Sequence, residues 1–189
     1  MSFWIDKTAN PKRKYRFRIE IAIAGAWRGD PIIWYAKSCT APSVEVSSVE
    51  HMFSDHVFNF PGRAKWGDVE MVLVDPEGEV ASTQGNSPVE NFSLLLTQFG
   101  YDPPAEGKTA AEYKTIARNT IAGGRVSIIA QDDEGNDLET WQLHNAFPIS
   151  FKYGDFDYGA DDLREFNITW KYDYASLTHA NSTNTYFKP

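Results

Sequence analysis

The 189-residue chain holds a single cysteine, Cys39, so no internal disulfide can brace it, and the composition fits a reducing compartment. One thiol with no histidine nearby in sequence reads as a small buried hydrophobe, not a nucleophile. No apolar run approaches the roughly 20 residues that cross a bilayer, so membrane anchoring is not expected. The first ten residues lack the apolar core of a signal peptide, which predicts no use of the standard secretion route. Catalytic signatures are missing too. Gly123-Gly124 is not followed by the Lys-Ser/Thr of a phosphate-cradling loop. No serine sits in a Gly-x-Ser-x-Gly elbow, and no pair of acids stands out for glycosidase-type work. Neither an enzyme nor a cofactor is expected. Basic stripes are also lacking: the net charge is −8, which argues against tight nucleic-acid binding.

The length suits one domain with a sizeable core. Charge is unevenly placed along it. Lys7, Lys12, Arg13, Lys14, Arg16 and Arg18 crowd the start, whereas acids gather later, as in Asp132-Asp133-Glu134 and Asp161-Asp162. This predicts a basic arm over 1–14, a folded domain over 15–174 and a polar tail over 175–189. Opposite charges at opposite ends favour head-to-tail contact between subunits, where complementarity sets orientation more than affinity.

Apolar and polar residues alternate along Phe166-Asn167-Ile168-Thr169-Trp170-Lys171-Tyr172. Side chains alternate faces along a strand, so this is a strand with one apolar face and one wet face. Tyr15–Ile23, Ile32–Ser38, Asp68–Val74, Val126–Gln131 and Leu138–Leu143 also read as strands, with Gly25–Pro31 as a turn. Val44, Val46 and Val49 are β-prone. Residues 52–67 read as a loop turning at Pro61-Gly62. One helix stands out: Ser87 caps it, Pro88 opens it, Glu90 completes a capping box, and Gly100 ends it. Phe92, Leu95, Leu96 and Phe99 form its apolar stripe. A short second helix over 109–118 is expected. With about seven or eight strands, the expectation is a mainly β fold: packed antiparallel sheets, as a sandwich or barrel, with one flanking α-helix.

Two clusters invite metal readings. His51, Asp55 and His56 offer ligands, but a spacing of five suits neither one strand face nor one helix face. Asp155, Asp157, Asp161 and Asp162 surround Gly154 and Gly159, yet the calcium-loop pattern of Gly at the sixth position and Glu at the twelfth is not met. No metal is expected at either place. His144 and His179 stand alone. The 6 Trp, 9 Tyr and 12 Phe, placed at strand period, suit a core or an intersubunit seam better than a sugar groove.

The order of several pieces resembles the tail tube proteins of contractile-tailed bacteriophages, a family related to type VI secretion tube proteins. Phe17–Ile23 is followed by Ala36-Lys37-Ser38-Cys39-Thr40-Ala41-Pro42, similar to their strand and Ala-x-x-x-Pro step. Phe58–Met71 is similar to their segment of glycine, aromatic, aspartate and strand. Pro88–Phe99 sits where their flanking helix sits. Trp141–Ile149 and Glu165–Tyr174 resemble their strand-to-proline step and final strand. The resemblance implies two packed sheets per subunit, hexameric rings, and a hollow tube inside a contractile sheath that conducts DNA and ejected proteins. It implies as partners other copies of the chain, a sheath protein, baseplate or tube-initiator and terminator proteins, and a tape-measure protein and DNA in the lumen. The implied location is the virion tail, after synthesis in the host cytoplasm. It further implies that Lys12, Arg13, Lys14 and Arg16 meet an acidic surface of an adjacent ring. Met52, Phe53, Phe58, Phe60 and Trp66 would pack between rings, and Glu45 and Ser47 would face the lumen. A tube protein of type VI secretion or of a phage-tail-like bacteriocin, and a monomeric carbohydrate-binding β-sandwich, are the alternatives.

Overall fold

The computed structural model describes residues 11–23, 27–31, 36–75, 89, 92–93, 96–97, 125–180, 182 and 184–188. The expected second helix over 109–118, the helix-capping residues Ser87, Pro88 and Glu90, and Lys7 lie outside them.

The alternation along Phe166–Lys171 becomes strand β10 (Glu165–Lys171), with Phe166, Ile168 and Trp170 fully buried. It pairs with β6 (Val69–Val74) so that Phe166 faces Leu73, Ile168 faces Met71 and Trp170 faces Val69. These six side chains form one apolar face of a four-stranded sheet, completed by β3 (Ala36–Cys39) and β9 (Phe147–Lys152) in the order β3-β6-β10-β9. Pro148 occupies the edge strand β9, where a missing N–H costs no ladder bond, and a register irregularity lies opposite it.

A six-stranded sheet supplies the facing layer. It contains β1 (Phe17–Ile23), β2 (Trp27–Pro31), β7 (Arg125–Gln131), β8 (Asp137–His144), β11 (Tyr174–His179) and β12 (Thr185–Tyr186). Their order is β12-β11-β8-β7-β1-β2. Register places Ile21 beside Val126, Val126 beside Leu143 and Leu143 beside Ala175, all buried and all in the same core as the β6–β10 stripe. The pairings are antiparallel, as expected, and among the described residues neither sheet closes into a barrel.

The expected helix is present at Val89, Phe92, Ser93, Leu96 and Thr97. Phe92 is fully buried, stacked on Phe166 at 5.2 Å and 6.1 Å from Trp170, so the helix closes the sandwich over β9 and β10. The acidic hairpin between β7 and β8 also forms. Asp132 accepts hydrogen bonds from the Glu134 and Asn136 amides, and Gly135 takes the left-handed conformation the turn needs (φ 85).

Three expectations are corrected. Residues 27–31, read as a turn, form strand β2; Gly29 and Pro31 are tolerated because β2 is an edge strand. Residues 52–67, read as a loop, belong mostly to two long strands described below. The segment after Tyr174, read as a polar tail, enters the six-stranded sheet. There Ala175 and Ser176 are buried, and the polar residues that suggested a tail decorate the other face of a strand.

Removing the Phe92 ring should leave a cavity against two aromatics. Phe92→Ala is expected to cost about 3–5 kcal/mol in urea unfolding, and a loss under about 1 kcal/mol would show that the helix does not cap the core.

Candidate assembly surface

Strands β4 (Val44–Phe53) and β5 (His56–Trp66) form a two-stranded ribbon that joins neither other sheet. Every residue of β4, and every residue of β5 except Trp66, is exposed. The turn is Ser54-Asp55, with Ser54 at φ 56, not the expected Pro61-Gly62. A two-residue turn with positive φ at its first position matches the twist of the flanking strands. Pro61-Gly62 instead lies mid-strand, where the register shifts between Val46 and Ser48. A Cβ on Gly62 would sit 2.3 Å from Ser47 Oγ and 2.9 Å from the Ser47 carbonyl oxygen, so glycine is required there. Ser47 completes the irregularity: its hydroxyl accepts a hydrogen bond from the Arg63 amide at 2.9 Å.

Register and alternation sort the ribbon into two faces. One carries Val44, Val46, Met52 and Val57, all exposed; the other carries Val49, Phe53, Phe58 and Phe60, also exposed. Apolar side chains on both faces explain the misreading as a loop. No clean alternation between apolar and polar is present, because neither face is buried within the chain. An isolated two-stranded ribbon is marginal in water. Here its root is held. Trp66 packs 6.1 Å from Tyr172 and 5.6 Å from Phe187, and the Gly67 amide donates to the Ser43 carbonyl.

The residues singled out from sequence therefore separate. Met52, Phe53, Phe58 and Phe60 come together on the outer ribbon, 46–73% exposed. Trp66 belongs to the root and packs on its own subunit. Glu45 lies at the root directly across from Lys65. Lys12, Arg13 and Lys14 are exposed and Arg16 is half-buried, in a group well apart from the ribbon in the chain. Val44, Val46, Val49 and Val57 are additions to the set; their signal was a β-branched residue on both strands without any buried counterpart.

The metal readings gain nothing from the geometry. His51 and His56 do share one ribbon face, but among the described residues no group of three or more potential ligands forms. Asp157 instead accepts the Gly159 amide, a turn-making bond. Burial pushes the Cys39 thiol up to about 12, which removes it as a nucleophile at neutral pH.

The outward face of the six-stranded sheet is chemically unlike the ribbon. Ser127, Gln142 and Ser176 stand side by side in register, as do Arg125, His144 and Tyr174. His144 stacks on Tyr174 at 4.4 Å and bonds Ser176 Oγ at 2.8 Å. Arg18 bridges Glu20 and Asp137. This face is one of hydroxyls, amides and paired charges, with Ser176 and Ile129 buried within it.

Two packed antiparallel sheets, a capping helix and a projecting apolar ribbon together define the class of fold. Comparison with solved structures gives that class its particular form: the fold is that of chains in contractile injection particles. A chain of the six-fold symmetrised anti-feeding prophage baseplate superposes with a TM-score of 0.65 at 13% identity, covering 92% of this chain and 99% of that one. A chain of the anti-feeding prophage tube-terminating cap gives 0.60 at 16% identity over 95% and 100%. A chain of the sheath/tube terminator of an extracellular contractile injection system, PVC, gives 0.59 at 17% over 90% and 99%. No protein-family model and no curated protein sequence matches the chain.

Desolvation first, and repulsion from Arg125 second, hold the His144 imidazole below its ordinary 6.5. The unfolded chain then binds that proton more readily than the folded one, so stability present above about pH 6.5 is lost as pH falls below it. His144→Gln keeps a donor for Ser176 and should flatten the fall in urea midpoint between pH 7.5 and 5.5. An unchanged slope would assign the acid sensitivity to other groups.

Proposed function

We propose that this chain is the structural subunit of a hollow tube, with six copies closing into a ring and rings stacking inside a contractile sheath. The observation that carries this is the ribbon. It exposes four large apolar residues on each face, far more than a solitary soluble subunit keeps in contact with water. A ribbon apolar on both faces is satisfied only when bodies lie on both sides of it, which a ring of neighbours supplies. The likeness of fold to chains from baseplate, cap and terminator assemblies supports the same reading.

In this reading Met52, Phe53, Phe58 and Phe60 lie between rings, and the basic group from Lys12 to Arg16 meets an acidic surface of an adjacent copy. Trp66 acts at one remove, by holding the ribbon root. The hydroxyl-and-amide face of the six-stranded sheet is the wetted bore, and Glu45 and Ser47 extend it at the root. The charges named on that face, Arg18 and Arg125 against Glu20 and Asp137, balance, so such a wall offers no basic stripe to hold phosphates and lets DNA slide without sticking. We read the machine as a particle of the phage-tail kind, with sheath, baseplate or initiator, and terminator proteins as partners and a tape-measure protein, DNA or ejected proteins as contents. The function is structural, not enzymatic.

Electron microscopy of the concentrated protein at low salt should show hollow rings or tubes with six-fold end views. Phe53→Asp combined with Phe60→Asp should abolish them while leaving the urea midpoint unchanged, because both side chains are exposed in the single chain. Persistent wild-type monomers that bind a glycan would overturn the tube reading in favour of a sugar-binding module.

A further inference from the structure

A groove of about 600 Å³ opens beside the edge strand β3, where residues 12–16 pass the ends of β1, β7 and β8. Its floor is apolar: Phe17, Ile128 and Trp141, each only half-buried although packed against the core. Its rim is basic. Lys12 and Lys37 are engaged within the subunit by Glu139 and Glu165. Among the described residues no carboxylate is paired with Arg13, Lys14 or Arg16, which also line the groove. An apolar floor rimmed by unpaired cations suits a guest that is both apolar and acidic.

The chain itself carries such a guest. Residues 49–60 of the ribbon include Glu50 and Asp55 and no lysine or arginine. At the tip, Met52 is 73% and Phe53 71% exposed. The tip cannot reach the groove of its own subunit. Ala41, at the ribbon root, lines the groove, and the ten residues of β4 carry the tip on the order of 30 Å away at about 3.3 Å per residue.

Building on the tube reading, we propose that the ribbon tip of one chain seats in the groove of a second copy. Met52 and Phe53 cover the Phe17–Ile128–Trp141 floor, and Glu50 and Asp55 meet Arg13 and Lys14. Ribbon and groove are different surfaces, so each copy gives one contact and receives one. A contact of that kind propagates through an assembly instead of closing on itself as a two-fold dimer does.

The test is a charge swap in the full chain, read as the critical concentration for polymerisation by sedimentation. Reversing the tip (Glu50→Lys with Asp55→Lys) or the rim (Arg13→Glu with Lys14→Glu) should each raise it about tenfold or more, as expected when like charges are set against each other. Combining all four substitutions should bring it back to within about threefold of wild type, because the pairs are again complementary. Singly reversed chains that polymerise like wild type, or a fourfold variant no better than the worse parent, would overturn the pairing while the wild-type tubes keep the tube reading intact. A wild-type chain that never polymerises would overturn both.

Discussion

The pairing of β6 with β10 is the constraint on which the other elements depend. It stacks Val69, Met71 and Leu73 beside Trp170, Ile168 and Phe166 and gives the six-stranded sheet something to close upon. The helix docks on the same stripe through Phe92. The ribbon is inserted between β3 and β6, so its direction is inherited from this sheet. At the junction, Thr40 donates its amide to the Glu70 carbonyl and receives the Glu70 amide on its hydroxyl. A ribbon that contacts little of its own subunit is thus aimed by residues at the rim of the core.

The body of the fold was legible because its strands have one buried face. β1, β6 and β10 alternate in sequence as they alternate in space. The helix was legible for the equivalent reason at its own period, with Phe92 where the stripe placed it. The ribbon was not legible, since it carries apolar residues on both faces and buries neither within the chain, so no period of alternation marks its strands. β11 was missed on composition: Ser176 and Thr178 look like tail residues until β8 supplies their partners. Of the site, the aromatics and the basic cluster could be picked out individually. That Trp66 belongs with Tyr172 and Phe187, and that Arg13 and Lys14 rim an apolar floor, required the chain to be folded.

The molecule divides its surface by chemistry. The ribbon holds apolar residues in water, the groove holds cations over an apolar floor, and the outward face of the large sheet holds hydroxyls, amides and satisfied ion pairs. The first two are surfaces that water solvates poorly or leaves without counter-charge, and net charge of one sign opposes non-specific association of the chains. The residues that stabilise the body and those that stay exposed on the ribbon and groove rim are therefore different, which lets each set change with little effect on the other.

The register shift at Ser47 and Gly62 divides the ribbon into a root and an outer arm. The root is tied to the body and admits no side chain at position 62. The outer arm is regular from Ser48–Pro61 to the turn. Lengthening it by one residue in each strand would exchange its aromatic and aliphatic faces, and lengthening it by two would restore them about 7 Å farther out. The arm's length therefore changes in discrete steps. The reach of this arm can vary only in increments of two residues per strand if each face is to keep its side of the ribbon.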